Sequence, residues 1–345
     1  MKLSFTTYRI FLKHTFGISR SSNNWYDIVL IFLQDGEIIG RGEAAPSLRY
    51  NESTDRILSV LKKGIDLPDH ESRSIDKMQN YIYPQLENIK SLQAAISMAL
   101  WDWWSQKKNK SLFNLLGYKN NDLPETSFTI AIGAIEEIEE KIIEAEPYNI
   151  LKVKLGTPNE DKKIIKEIRK FTDKLIRIDA NEGWDFETSV EMCNWLSDQN
   201  VEFIEQPFPA KELEKSKELT KLSPLDIYAD ENSRNLGDLK RIKDSFDGIN
   251  IKLMKCGSIE EAMNMISVAK KYKLKIMLGC MVETSVGITA AASLASAVDK
   301  VDLDGNLLIT NDPYSGVKVI NGYLSLPNSL GLGLKLKNTD NNLLK

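Results

Sequence analysis

Short apolar runs alternate with amphipathic helical stretches along the chain from Pro124 onward. Between the runs, apolar residues recur at helical spacing, as at Ile164, Ile165 and Ile168. This alternation is typical of parallel strands joined by right-handed helical crossovers, and eight such strands close into a barrel. The eight runs are residues 126–132, 150–154, 175–180, 201–206, 227–230, 249–253, 274–278 and 301–303. The pattern therefore predicts an α/β fold built on a parallel barrel.

The chain before Pro124 has a different pattern. Residues 2–11, 25–33 and 37–44 have the pattern of antiparallel strands, and a turn at residues 34–36 joins the last two. Residues 53–116 are helical in pattern and include a stripe of alanine and tryptophan, for which we expect core packing. Strands followed by helices predict an α+β unit.

These patterns divide the chain into three parts. We expect an N-terminal α+β capping domain at residues 1–123 and a barrel at residues 124–312. The helical period stops after the eighth run, so residues 313–345 are predicted to be a tail that returns to the capping domain, with residues 338–345 disordered. A doubly wound open sheet is the alternative. Its glycine-rich phosphate turn is missing after the first run, where Gly133 stands alone.

Composition narrows the classes of protein. The length of 345 residues supports two domains, and a net charge of −4 gives no general attraction for nucleic acid or anionic membranes. The N-terminus lacks the apolar core of a signal peptide, and no segment reaches about 18 apolar residues. The three cysteines are few and unclustered, so we expect a cytoplasmic location and no thiolate metal site. Two histidines are too few for a histidine-rich zinc site.

Five charged residues stand at the ends of successive apolar runs. They are Lys154, Asp179, Glu205, Asp230 and Lys252, separated by 25, 26, 25 and 22 residues. These intervals are close to the roughly 30 residues of one unit in a (β/α)8 barrel, whose strands all open at one face, so the five side chains are expected to converge there. Three carboxylates brought together need a cation. All-oxygen donors favour Mg²⁺, which keeps positions open for a substrate carboxylate.

A further lysine strengthens the prediction of acid–base chemistry. Lys152 lies two positions before Lys154, so both side chains project to the same face of a strand. Two ammonium groups near one metal ion are expected to lower the pKa of a lysine from about 10.4, which makes it a base at neutral pH. Lys252 arrives from across the barrel mouth. The sequence thus predicts one base on each side of a substrate held by the metal.

The segments around these strand ends carry a family pattern. They are Leu-Lys-Val-Lys at 151–154, Ile-Asp-Ala-Asn at 178–181, Ile-Glu-Gln-Pro at 204–207, Ala-Asp-Glu at 229–231 and Ile-Lys-Leu-Met-Lys-Cys-Gly at 251–257. Together with Gly-Glu-Ala-Ala-Pro at 42–46 they resemble the enolase superfamily, in its muconate lactonising enzyme subgroup, over almost the whole chain. The resemblance implies a modified TIM barrel, (β/α)7β, under an α+β cap. It also implies that Asp179, Glu205 and Asp230 bind Mg²⁺ and that a lysine base removes an α-proton to leave an enediolate.

The residues at the ends of the last two strands narrow the choice among the reactions of this superfamily. Residues 279–284 contain no histidine, which favours a pair of lysine bases over a lysine and a histidine. Asp302 and Asp304 resemble the Asp-Xaa-Asp pair of dipeptide epimerases, which receives the α-ammonium group of the substrate.

The resemblance therefore implies an isomerase, a dipeptide epimerase that inverts the α-carbon of the C-terminal residue of an Ala-Glu-like dipeptide. Lys154 or Lys252 would abstract the proton, and the other would return one from the opposite face. Lys152 would help to neutralise the enediolate oxygen. The resemblance also implies a homo-oligomer.

Specificity is expected from two capping loops, residues 14–25 and 45–53. Arg20 is a candidate for binding an acidic substrate side chain, and Thr129 and Glu283 are further candidates for substrate contact. The alternative function is that of a lyase or cycloisomerase of the same superfamily, such as an o-succinylbenzoate synthase or muconate cycloisomerase. A barrel that binds carboxylates without turnover is a third reading.

Overall fold

An antiparallel sheet of three strands begins the chain in the computed structural model, which describes residues 1–68, 74–121 and 123–337. The strands are β1 (Lys2–Ile18), β2 (Ser21–Asp35) and β3 (Ile38–Ala44), in that order across the sheet. The prediction of a loop at residues 14–25 is wrong, because β1 and β2 pair as far as Ile18 and Ser21. Gly17 also pairs with Ile132, which extends the hairpin onto the barrel.

Four α-helices follow the antiparallel sheet in the described part of the N-terminal region. They are α1 (Thr54–Leu61), α2 (Ile75–Ile82), α3 (Lys90–Lys107) and α4 (Leu112–Leu115). Helix α3 packs along β3, where Gly40 and Gly42 leave no space for a Cβ atom beside the helix backbone. Trp103 is fully buried in the core between this sheet and its helices, as the sequence predicts.

Eight parallel strands form the second sheet. Their order across the sheet follows their order in the chain. The strands are β4 (Phe128–Ile130), β5 (Ile150–Lys154), β6 (Leu175–Asp179), β7 (Val201–Glu205), β8 (Asp226–Ala229), β9 (Gly248–Ile251), β10 (Lys275–Gly279) and β11 (Lys300–Asp302). A parallel bridge between Thr126 and Val301 joins the two edges, so the sheet curls into a barrel. The predicted (β/α)7β barrel is confirmed, and the open doubly wound sheet is not what the chain forms.

Helices connect the barrel strands. They are α5 (Ile138–Glu144), α6 (Pro158–Phe171), α7 (Phe186–Ser197), α8 (Leu213–Leu222), α9 (Leu236–Ile242), α10 (Leu253–Cys256), α11 (Ile259–Lys271) and α12 (Ser285–Ala292). Helix α6 shows why they form: Ile165 and Ile168 are fully buried against the barrel, whereas the opposite face carries lysine and glutamate. The sequence prediction of a strand to Leu253 is wrong, because the chain leaves β9 at Ile251 and turns into α10.

The C-terminal segment packs against the first sheet and its helices. It contains β12 (Tyr314–Ser315), β13 (Lys318–Ile320), β14 (Tyr323–Ser325) and β15 (Lys335–Leu336). The Arg41 guanidinium of β3 lies 5.8 Å from the centre of the Tyr314 ring, and Leu332 donates its backbone N–H to Asp102 in α3. The predicted disorder at 338–345 falls outside the described residues. Within the described ranges, no helix is long and apolar enough to cross a membrane.

Candidate active site

Three carboxylates meet at the carboxyl ends of neighbouring barrel strands. Asp179 ends β6, Glu205 ends β7 and Asp230 follows β8, and Asp179 and Glu205 are direct partners across the sheet. One carboxylate oxygen from each residue lies within 4.8 Å of the others, and all three residues are buried. The predicted trio of acids therefore comes together.

The predicted lysines surround this trio. Lys154 Nζ donates to Asp179 Oδ2 at 2.6 Å, and Lys252 Nζ donates to Asp230 Oδ2 at 2.8 Å. Lys154 ends β5 and Lys252 follows β9, so the two amines approach from strands on either side of the three acid-bearing strands. Lys152 lies deeper, with its Nζ 3.3 Å from Asp179.

The ammonium groups set the ionisation of the acids. Burial opposes ionisation of Asp179, but the neighbouring lysines outweigh burial and lower its pKa to about 2. The same opposition of burial and lysine charge leaves the pKa of Asp230 well below its usual range. Burial, together with the charge of Asp179, raises the pKa of Glu205. Lysine charge and repulsion among the carboxylates therefore both control the ionisation of the three acids.

The expected lowering of the lysine pKa is not found at Lys152 or Lys252. Burial favours the neutral amines, but carboxylates within hydrogen-bonding distance outweigh it and raise both pKa values. The prediction considered only repulsion between the ammonium groups. The anions that face them have the larger effect in this structure.

Asp302 and Asp304 have different surroundings although they share one strand end. Asp302 accepts hydrogen bonds from Ser127 Oγ and Lys152 Nζ, both at 2.7 Å, and its pKa is lowered because the lysine charge outweighs burial. Asp304 accepts the backbone N–H of Thr129 at 2.6 Å, and burial beside Asp302 raises its pKa to about 7. Thr129 therefore lies at the site and contacts Asp304 through both its backbone and its side chain.

Arg20 is already paired with groups of the protein. Its guanidinium donates to the Asn181 carbonyl at 2.6 Å, to Glu182 at 3.1 Å and to Glu231 at 3.0 Å. Arg49 donates twice to the same Glu182. Both predicted specificity segments thus reach the barrel mouth, but an acidic substrate would compete with two carboxylates for Arg20.

Glu283 is the last of the predicted contact residues. It is 2% exposed and accepts the backbone N–H of Met281 at 2.7 Å. Burial, with the nearby charge of Glu43, raises its pKa to about 8, and the positive charge of Lys252 opposes that rise.

Two buried residues of the site were missed from the sequence. Lys255 donates to Asp230, and Asn250 Nδ2 donates to Glu205 Oε1 at 2.7 Å. The signal for Lys255 was present as Lys-Xaa-Xaa-Lys at 252–255, a spacing that places both side chains near one another if a helical turn follows the strand. Asn250 lies inside an apolar run and gave no signal.

The donor set fits a hard divalent cation. Ligands of an octahedral Mg²⁺ at about 2.1 Å lie roughly 3 to 4 Å apart, which small side-chain movements reach from the observed spacing. Glu205 Oε2 is buried and pairs with the Lys152 ammonium, whose Nζ lies 2.8 Å away. A carboxylate oxygen has two lone pairs, so the second one is available for a metal ion.

Comparison with known proteins shows relatives along almost the whole chain. Residues 134–340 match the family model described as enolase C-terminal domain-like. An L-Ala-D/L-amino acid epimerase of Flavobacterium johnsoniae is 38% identical over 97% of this chain and 100% of its own length. An L-Ala-D/L-Glu epimerase of Bacteroides thetaiotaomicron is 36% identical over 97% of this chain and 88% of its own.

A solved structure extends the similarity to three dimensions. A dipeptide epimerase from Cytophaga hutchinsonii, complexed with Mg and the dipeptide D-Ala-L-Val, matches with a TM-score of 0.91 at 25% identity. The match covers 99% of this chain and 96% of the other. The similarity therefore includes the antiparallel sheet, the barrel and the C-terminal segment together.

Proposed function

The chain belongs to the enolase C-terminal domain-like family and is an epimerase, and from that premise we propose that it inverts the α-carbon of the C-terminal residue of a dipeptide. Mg²⁺ is its cofactor, and Asp179, Glu205 and Asp230 would hold it. The observation that carries this proposal is the placement of Lys154 and Lys252 on either side of the three acids. An inversion needs one proton donor and one acceptor on opposite faces of the same carbon.

When bound, Mg²⁺ supplies positive charge that stabilises negative charge developing on the substrate carboxylate. The residues of the chain do the rest. Lys154 Nζ or Lys252 Nζ, in its neutral form, takes the α-proton, and the electron pair of the broken C–H bond moves onto the substrate carboxylate. The opposite lysine, as an ammonium, then gives a proton to the other face, so that a new C–H bond forms with inverted configuration.

Lys152 has a separate task in this proposal. Its Nζ is fully buried and is shared among Asp179, Glu205 and Asp302, so it stays charged throughout the reaction. A fixed ammonium in a buried site stabilises an oxyanion more strongly than one in water does. Lys152 therefore supports the enediolate oxygen and does not exchange protons with the α-carbon.

The α-ammonium group of the dipeptide is assigned to Asp304 in preference to Asp302. Both oxygens of Asp302 are already occupied, by Ser127 and Lys152. Asp304 is hydrogen-bonded by the backbone and the side chain of Thr129, both uncharged, and it has no lysine within hydrogen-bonding distance among the described contacts. A substrate ammonium would supply that counter-charge.

Incubation in D₂O with a panel of L,L-dipeptides tests the function. Mass spectrometry is expected to show a gain of one mass unit at the C-terminal residue, and chiral chromatography the L,D-epimer, with Mg²⁺ and not with EDTA. An unchanged panel, together with dehydration of an acid of the synthase type or lactonisation of one of the cycloisomerase type, would contradict the proposal. Cytoplasmic location, homo-oligomeric assembly and the absence of nucleic-acid partners stay predictions from the sequence.

A further inference from the structure

Lys255 is a second lysine of the site and is buried completely. It lies in the single-turn helix α10 that follows β9, and its side chain has no exposed surface. Its Nζ donates to the Asp230 backbone carbonyl at 2.7 Å, to the Asn250 carbonyl at 2.8 Å, and to Asp230 Oδ1. An ammonium has three N–H donors, and all three are used.

This arrangement gives the two oxygens of Asp230 different partners. Lys255 donates to Oδ1, and Lys252 donates to Oδ2 at 2.8 Å. Since Lys255 is bound to two backbone carbonyls as well, it cannot follow the carboxylate if the side chain rotates. The orientation of Asp230 is therefore fixed by a donor whose side chain has no exposed surface.

Asn250 provides the same support to the neighbouring acid. Its backbone carbonyl accepts from Lys255, while its side-chain Nδ2 donates to Glu205 Oε1 at 2.7 Å. A Cβ atom at Gly279 would lie 2.5 Å from Asn250 Oδ1, so glycine at that position makes room for the amide. Asn250 thus contacts both Glu205 and Lys255, the residue that holds Asp230.

We propose that Lys255 and Asn250 are positioning residues, which fix the carboxylates of Asp230 and Glu205 in the orientation that a divalent cation requires. The inference rests on the proposed function, because it assumes that the acid trio binds the cation. Removing a residue that hydrogen-bonds to a metal ligand typically lowers metal affinity or activity by about 10- to 100-fold.

Mn²⁺ affinity, measured by electron paramagnetic resonance of the free ion, tests the inference without turnover. Asn250→Ala removes the donor to Glu205 and leaves the net charge unchanged, so we expect Mn²⁺ to bind about 10-fold or more weakly. Lys255→Met and Lys255→Gln lose the same charge, but only glutamine retains an N–H donor for Asp230. We expect Lys255→Gln to bind Mn²⁺ several-fold more tightly than Lys255→Met and to keep a higher kcat.

Lys141→Met is the matched control. Lys141 is also buried, and it pairs with Glu137 far from the acid trio in the chain and without contact to it. This variant is expected to lose stability without losing Mn²⁺ affinity. If Lys255→Met does not fold, Asn250→Ala and Lys255→Gln still carry the test.

Two results would overturn the inference. One is wild-type Mn²⁺ affinity in Asn250→Ala, and the other is equal Mn²⁺ affinity and kcat in the two neutral Lys255 variants, which would make its role one of charge alone. Wild-type protein that binds no Mn²⁺ would contradict the proposed cofactor itself, and the inference with it. The two failures are therefore distinguishable.

Discussion

At the scale of single residues, the electrostatics of the site depend on which lysine lies next to which carboxylate. The acids and lysines at the strand ends could be predicted because their spacing matches the barrel unit. Their pairing could not be predicted, because it depends on side-chain reach: Lys152 contacts Asp302 from a strand that is not adjacent to it in the order of β4 to β11. Only closure of the barrel brings those two residues together.

The different surroundings of Asp302 and Asp304 lead to a prediction. We expect Asp304→Asn to reduce kcat/KM for a dipeptide with a free amino group by about 10- to 100-fold, since a hydrogen bond to a charged group contributes roughly 1.5–3 kcal/mol. Steady-state kinetics with the same dipeptide carrying an N-acetyl group is the control. The acetylated substrate has no ammonium group, so its smaller kcat/KM should hardly change. Equal losses for both substrates would show that Asp304 does not bind the ammonium group.

At the scale of elements, the strands of the barrel were predictable and the connections less so. Each barrel strand is a short apolar run between polar segments, which is a strong local signal. Strands β1 and β2 extend beyond their predicted bounds of residues 2–11 and 25–33 because the tip of their hairpin gains a backbone hydrogen bond from the barrel, Ile132 N–H to the Gly17 carbonyl at 2.9 Å. A contact between distant segments is invisible in a local pattern. The same holds for α10, whose single turn places Lys255 beneath Asp230.

A substitution at Gly156, two residues after Lys154, tests how closely the loops are packed at the site. Its φ is +106°, and a Cβ atom would lie 2.3 Å from the Ala180 carbonyl oxygen. Gly64 is the control, because its φ is +90° and a Cβ atom there meets no atom within 4 Å. Gly64→Ala should lose only the backbone strain of about 1–2 kcal/mol. Gly156→Ala should lose about 1–3 kcal/mol more from overpacking, and kcat should fall as well.

Chemical denaturation and dipeptide kinetics measure both effects. Equal stability losses in the two alanine variants would mean that the loop after β5 moves freely. The crowding around Gly156 would then have no role in placing Lys154.

At the scale of the whole molecule, a buried carboxylate connects the antiparallel sheet to the barrel. Glu43 in β3 accepts the backbone N–H of Thr284 at 2.9 Å and that of Gly287 at 3.1 Å, both at the start of α12. Burial raises the pKa of Glu43 to about 7. Glu43 belongs to the family pattern at residues 42–46, but the sequence alone did not indicate that it binds the start of α12. The division of the chain at residues 123 and 312 stays a prediction.

The raised pKa values of Glu43 and Glu283 predict a pH dependence of stability. Glu43 and Glu283 have pKa values raised to about 7 and about 8 from 4.5, so the native state keeps protons that the unfolded state has released. Their contribution to the free energy of unfolding is therefore fully present below pH 4.5 and is lost as the pH rises toward 8. In Glu283→Gln the fall in Tm between pH 5 and pH 8 should be smaller than in the wild type.

Differential scanning calorimetry in EDTA measures this slope. Glu191→Gln is the control, because Glu191 is an exposed member of a surface ion pair with Lys162 and should leave the slope unchanged. A slope in Glu283→Gln equal to that of the wild type would mean that Glu283 is ionised in the native protein throughout this range.

The central claim, two lysines acting on opposite faces of one carbon, is tested most directly by α-proton exchange in D₂O with Lys154→Ala and Lys252→Ala. Each variant should lose epimerisation by about 100-fold or more. Each should still exchange the α-proton of one epimer of the dipeptide, and the epimer should differ between the two variants. Full epimerisation with solvent deuterium incorporated in both variants would contradict the two-base account.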